Sequence, residues 1–236
     1  KEQKTLDDAE RFTSKSWAKK RAAGTPFMNG SVNDASSKVK KDSIPRVQKD
    51  PDGHTSHLTI VDKNGMIVSL TQTIGPTMGS KVATPGLGFL YAQTMGGYLG
   101  KVEPNLRVPS HISPIIVFKN DKPFLAMGAA GGSRIPSSIV NVISRIIDHD
   151  LSLEEALNSP RVHPIEEGIS LEVVDKVSWN NDDSTYFSKL GYTVEMKQLP
   201  GQFGRIHAVI LDTLTGEWIG CADPDWEGTS AFPILE

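Results

Sequence analysis

From Thr55 onward the chain is built of short apolar runs separated by turn residues. Leu58 and Ile60 are followed, across Asp62-Lys63-Asn64-Gly65, by Ile67, Val68 and Leu70. Asn-Gly accepts the positive φ angles of a type I′ turn, so the pattern predicts a β-hairpin. Its pairing would bring Thr71 and Thr73 back towards Thr55. A loop is expected over Gly75–Lys81, a strand over Gly88–Gln93, and irregular Gly/Pro-rich chain over 96–109. Pro114–Phe118 and Phe124–Met127 flank Lys119-Asn120-Asp121-Lys122-Pro123 as a second hairpin. It leads directly into Gly128-Ala129-Ala130-Gly131-Gly132-Ser133-Arg134.

The period then lengthens. Ile139, Val140, Ile143, Ile146 and Ile147 place a helix over Pro136–His149. Ser152-Leu153-Glu154-Glu155 is a capping box opening a short helix, which Pro160-Arg161-Val162-His163-Pro164 breaks. Strands are expected at Ile169–Val173, Thr193–Lys197, His207–Leu211 and Glu217–Gly220, with a helix over Asp183–Leu190 and a loop at Ala222–Gly228. Hairpins dominate and strict β-α alternation is absent. The expected class is therefore α+β, antiparallel sheets carrying helices on their outer faces.

The first quarter has another texture. Residues 1–24 look helical, with Thr13 as N-cap candidate and Gly24 at the far end. Residues 25–54 are rich in Pro, Gly, Ser, Asn, Asp and Lys and read as an exposed linker ending in Lys49-Asp50-Pro51-Asp52-Gly53-His54. The chain opens at Lys1, already in helix-like sequence, so a preceding N-terminal portion is expected.

Composition narrows the choices. The 236 residues have a formal net charge of −3, which argues against a dedicated nucleic-acid binder. Lys and Arg do concentrate within Lys15–Lys49, as a solvated face would. The one cysteine, Cys221, rules out an intrachain disulfide framework. No apolar run is long enough to span a membrane, and no signal peptide is visible.

Three groups could do chemistry. Thr55, Ser56 and Thr59 offer hydroxyls at the start of a strand, with Thr71 and Thr73 on the return strand. Thr is an ordinary strand residue. However, a strand-initiating Thr suits an enzyme that cuts itself before that residue, because the freed α-amine then serves as base. Gly131-Gly132 lies between a strand and a helix, where backbone N–H groups can face a developing oxyanion near the positive helix end. A tight strand-to-helix turn explains the same glycines. Ser110-His111-Ile112-Ser113 places hydroxyls in a turn before a strand, suited to a carboxylate or to simple turn capping. His57 shares the face of Thr55 and is read chiefly as a structural histidine. None of His54, His57, His111, His149, His163 and His207 has metal-ligand spacing. Gly-x-Ser-x-Gly is absent, and Cys221 reads as a small buried filler.

Taken together the chain resembles the gamma-glutamyltranspeptidase family. The resemblance is carried by Thr55-Ser56-His57-Leu58-Thr59-Ile60-Val61-Asp62, Pro104-Asn105-Leu106-Arg107 with Ser113-Pro114, and Gly131-Gly132-Ser133-Arg134-Ile135. Pro160-Arg161-Val162-His163 and Ala222-Asp223-Pro224 add to it. It implies a four-layer αββα sandwich, the N-terminal nucleophile hydrolase fold. Residues 1–54 would be the end of a large-subunit-like segment and 55–236 the small-subunit-like catalytic part. It implies autocleavage between His54 and Thr55, with Thr55 as nucleophile, Thr73 as its hydroxyl partner, and Gly131 and Gly132 as the oxyanion hole. Ser110 falls where the family holds a substrate carboxylate; His111, Gly75 and Arg134 belong with the substrate-binding candidates.

The expected partners are a small amide or peptide substrate of the glutathione type and the large-subunit portion of the same precursor. No metal or organic cofactor is called for. The expected location is the periplasm or the outside of the cell. The sequence also departs from the family. Gly75 stands where the gamma-glutamyl enzymes carry an Asn, His111 replaces one of two paired Ser, Gly96-Gly97 replaces the Asp pair that grips an α-ammonium, and Asp225 replaces a basic residue. Three readings follow: a gamma-glutamyl amidohydrolase or acyltransferase, an acylase of the same superfamily for glutaryl or dicarboxylic amides, and an unprocessed, non-catalytic homologue.

Overall fold

The computed structural model describes residues 14–16, 19, 55–94, 105, 110–166, 168–174, 178–198 and 201–232. Lys15, Ser16 and Lys19 are helical. The rest of the helix expected over 1–24, the linker 25–54 with His54, and Gly96-Gly97 lie outside the described residues.

Strands β1 (Thr55–Val61) and β2 (Ile67–Thr73) form an antiparallel hairpin. The turn differs from the expected type I′. Only Gly65 has a positive φ, 82°. The loop instead spans Asp62 to Met66, closed by Gly65 N–H to Asp62 O at 3.0 Å. The Asp62 carboxylate accepts the N–H groups of Asn64 and Met66, both at 2.8 Å. An Asx side chain that satisfies the turn amides removes the need for a left-handed Asn64.

Strands β3 (Ile115–Lys119) and β4 (Lys122–Ala130) make the second hairpin. Strands β8 (Arg205–Leu211) and β9 (Trp218–Ala222) join them in a four-stranded antiparallel sheet of order β3-β4-β8-β9. After β4 come a 3-10 turn, Gly132–Arg134, and helices α1 (Ile135–Asp148) and α2 (Leu153–Asn158). The second opens with the expected Ser152–Glu155 capping box.

Strands β5 (Val162–Ile165), β6 (Gly168–Glu172) and β7 (Thr193–Lys197) form a smaller sheet, in which β6 and β7 are parallel. Helix α3 (Asn181–Lys189) connects those two. α2 ends at Asn158, ahead of the expected break at Pro160–Pro164, and part of that run forms an additional strand, β5. It is an edge strand, where Pro164 costs no ladder bond. Gly88–Gln93 also differs from expectation. It makes only an isolated bridge, Ala83 to Leu90, plus scattered backbone bonds, because its neighbours are turns rather than a strand.

Alternation along β4 explains the layering. Leu125, Met127 and Ala129 face α1 and α2, joining Ile135, Ile139, Val142, Ile146, Leu153, Ala156 and Leu157 in the core. Within α1 the buried stripe is Ile135, Ile139, Val142 and Ile146, at helical spacing. Val140 and Ile147, expected on the apolar face, are instead exposed. The opposite side of β4, Ala126, Gly128 and Ala130, is built of small residues and receives the β1–β2 hairpin. Helices, sheet and hairpin thus stack in that order. Among the described residues no helix is long and apolar enough to cross a membrane.

Candidate active site

The hairpin is polar inside and apolar outside. Thr55, His57, Thr59, Ser69, Thr71 and Thr73 turn towards the four-stranded sheet. Leu58, Ile60, Val68 and Leu70 point away and are 39–57% exposed. The inner face is held by directional bonds. His57 is buried, with Nδ1 2.7 Å from Thr71 Oγ1 and Nε2 2.9 Å from Thr59 Oγ1. Ser69 Oγ donates to Met127 O at 3.1 Å. Burial, with the adjacent His207 adding to it, lowers the His57 pKa from 6.5 to about 4, so the ring is neutral at pH 7. It also explains Gly128: a Cβ there would lie 2.5 Å from His57 Nδ1.

Register brings the threonines together. Thr55 and Thr73 are directly opposed across β1 and β2. Thr73 Oγ1 accepts the Gly75 N–H at 3.1 Å. Gly75 has φ 85°, and a Cβ on it would come within 2.9 Å of Gln93 O, so the chain has no room for a side chain here. The hairpin also has a direction relative to β4. Ser69, opposite Thr59, touches Met127, and the next residue, Gly128, meets His57. Moving along β4 towards Gly131 is therefore moving along the hairpin towards Thr55.

β4 turns into α1 within a few residues. Gly131 (φ 137°) and Gly132 (φ 60°) take left-handed conformations that favour glycine. A Cβ on Gly132 would meet nothing within 4 Å among the described residues, whereas one on Gly131 would come within 3.0 Å of Gly204 Cα. Arg134 follows in the 3-10 turn. Ser137 Oγ bonds to Arg134 O at 3.0 Å and lies 2.7 Å from His163 Nδ1. Burial first, then Arg134, Lys197 and His111, lower the His163 pKa to about 4. Arg134 and His163 are thus linked through Ser137 Oγ. The expected hydroxyl turn before β3 is present: Ile112 N–H donates to Ser110 Oγ at 3.2 Å and Ser113 Oγ to His111 O at 3.0 Å. Burial raises the Cys221 thiol pKa, which leaves it a poor nucleophile.

Sequence reasoning missed the polar cluster behind Gly131. Arg161 and Asp223 are both buried and paired, with Nη1 2.7 Å from Oδ2. Glu172 accepts the Arg161 N–H at 2.8 Å. Burial raises the Glu172 pKa against the opposing pull of Arg161. The only signals were Pro160-Arg161-Val162-His163 and Ala222-Asp223-Pro224, strings far apart in sequence with no visible pairing.

Helices over one sheet, with a second β-layer beneath it, follow the αββα architecture of the N-terminal nucleophile hydrolases. The chain belongs to the gamma-glutamyltranspeptidase family, matching the description Gamma-glutamyltranspeptidase over residues 2–232. It is similar to the glutathione hydrolase proenzyme of Bacillus subtilis (strain 168), with 28% identity over 227 residues, 90% of this chain and 35% of that protein. Acylase ACY 1 proenzyme of Pseudomonas sp. (strain V22) is 36% identical over 114 residues, 46% of this chain and 20% of that protein. Among solved structures, the Helicobacter pylori gamma-glutamyltranspeptidase T380A mutant superposes with a TM-score of 0.62 at 31% identity, covering 72% of this chain and 99% of that one. The chain spans about a third of the length of the curated relatives it matches.

Proposed function

We propose that this chain carries the nucleophile of a self-processing amidohydrolase or acyltransferase of the gamma-glutamyltranspeptidase type. The observation that carries the reading is Thr55 opposed to Thr73 at the hairpin end towards which β4 delivers Gly131 and Gly132. Cleavage of the His54–Thr55 bond frees the Thr55 α-amine. That amine takes the Oγ proton as Oγ attacks the substrate amide carbonyl, and returns it to the leaving amine as the C–N bond breaks. N–H groups of Gly131 and Gly132 stabilise the oxyanion of the tetrahedral intermediate. Water, or an acceptor amine, then attacks the ester on Thr55 and releases the acyl group. Thr73, oriented by the Gly75 N–H, holds the nucleophile, and Ser110, His111 and Arg134 receive the acyl donor's carboxylate. The chemistry uses no metal or organic cofactor.

Residues 1–54 are the end of the large-subunit-like segment and 55–236 the catalytic part. The uncovered apolar face of Leu58, Ile60, Val68 and Leu70 suits packing by the large-subunit portion of the same precursor. Similarity to proteins named proenzymes supports maturation by cleavage, and similarity to glutathione hydrolases supports a glutathione-like peptide substrate. We assign the protein to the periplasm or the outside of the cell. Replacing Thr55 with Ala is expected to abolish both cleavage before residue 55, read by intact mass, and amide hydrolysis. An alanine variant that still processes there sinks the assignment. A wild-type protein that stays uncleaved supports the non-catalytic homologue instead.

A second reading keeps the chemistry and changes the substrate to a glutaryl or other dicarboxylic amide. Gly75 leaves no space for the family's Asn, and Gly96-Gly97 offers no carboxylate to an α-ammonium. The similarity to an acylase proenzyme points the same way.

A further inference from the structure

Gly131 owes its unusual conformation to what lies behind it. Its Cα packs against Gly204, the residue before β8. Gly204 (φ 90°) is itself pressed on α1, because a Cβ there would lie 2.6 Å from Ser138 Cβ. Locally, Arg205 Nε donates to Gly201 O at 3.4 Å at the start of the 201–204 turn. The far end, Phe203 and Gly204, is held by a side chain from a distant stretch. Arg161 Nη1 donates to Gly204 O at 2.8 Å and approaches Phe203 O at 3.5 Å, while Nη2 donates to Leu157 O at 3.0 Å. Asp223 completes the clamp: Oδ2 pairs with Arg161 at 2.7 Å and accepts the Ile206 N–H at 3.1 Å. Only a planar guanidinium can reach the turn, the end of α2 and a carboxylate at once. A buried pair is a weak source of net stability compared with apolar residues of like shape, which favours a geometric use for it.

We propose that the Arg161–Asp223 pair positions the oxyanion hole, fixing the Gly204 carbonyl and through it the backbone of Gly131. The inference rests on reading Gly131 as an oxyanion donor. Arg161 touches no substrate; it is a positioning residue. Arg145 is a built-in control. It is a neighbouring, largely buried arginine whose guanidinium serves Ala156 O, Ser159 O and Pro160 O, all at the end of α2, and does not reach the 201–204 turn.

The test compares Arg161→Lys, Asp223→Asn and Arg145→Lys in the full-length processed enzyme. Hydrogen exchange is followed in the peptide covering 128–134, and kcat and KM are measured with γ-glutamyl and glutaryl p-nitroanilide. In Arg161→Lys, exchange in that peptide should quicken and kcat fall about 10- to 100-fold, the scale of a misplaced oxyanion donor, with KM within about twofold. Asp223→Asn keeps an acceptor for the guanidinium and should fall in between, which preserves the test if Arg161→Lys fails to fold. Arg145→Lys should lower Tm while leaving kcat and the 128–134 exchange near wild type. Unchanged exchange in both Arg161→Lys and Asp223→Asn overturns the coupling. Faster exchange with unchanged kcat overturns Gly131 as an oxyanion donor. An equal kcat loss in Arg145→Lys overturns a specific role for the pair.

Discussion

Acid should loosen the hairpin through His57. Its imidazole is buried between β1 and β4, bonded to Thr59 and Thr71, and its pKa falls from 6.5 to about 4 through burial and then His207. In the unfolded chain the ring takes a proton below about pH 6.5, whereas the folded ring does so only near pH 4. Between those values the unfolded state binds more protons, so stability rises with pH in this window and is lost as pH falls through it. At about 1.4 kcal/mol per pKa unit, less the partial protonation of the folded ring at pH 4, the loss from pH 7 to pH 4 is about 3 kcal/mol for this residue. That is a large share of an ordinary domain's stability. The assay is urea unfolding of the full-length protein at pH 7, 5.5 and 4.5, for wild type and His57→Gln. Glutamine removes the titration, so the variant should be less stable at pH 7 and the two curves should converge on acidification. His163, also lowered to about 4, is present in both proteins and cancels in the difference. Parallel curves, or an NMR titration midpoint for His57 above 6, would refute the reasoning.

Two further outcomes follow from the same geometry. Gly128→Ala places a methyl 2.5 Å from His57 Nδ1 and should cost about 1–3 kcal/mol by overpacking; in a His57→Ala background the penalty should largely vanish, and an additive double-mutant cycle would contradict the contact. With a charge-assisted contact to the α-ammonium removed, γ-glutamyl p-nitroanilide should lose about 10- to 100-fold of any kcat/KM advantage over the glutaryl anilide, from about 1.5–3 kcal/mol; a retained advantage of that size would favour a gamma-glutamyl enzyme.

Sequence by itself determined the local elements whose signals are self-contained. Hairpin signals predicted β1–β2 and β3–β4; the 3.6-residue period placed α1 within a residue at each end, and Ser152 with Glu155 capped α2 as read. The α+β class followed from the hairpins, and counting across one turn brought Thr71 and Thr73 back towards Thr55; that Thr73 stands directly opposite was decided by the turn the structure adopts. The glycine pair between strand and helix was legible as a turn that could serve an oxyanion. What tertiary structure decided were the contacts that no periodicity encodes. The hairpin's apolar residues look like a core face in sequence, yet they point outward, because Ala126, Gly128 and Ala130 leave room for His57 and its threonines to pack on the sheet instead. Val140 and Ile147 fit the helical period but fall outside the stripe that β4 covers. Arg161 and Asp223 lie 62 positions apart in the chain (223 minus 161), so their pairing exists only once β5 and β9 have docked. Thr55 remains the residue from which the chemistry is read, and the backbone that would face it, Gly131, is held by side chains contributed from both of those distant stretches.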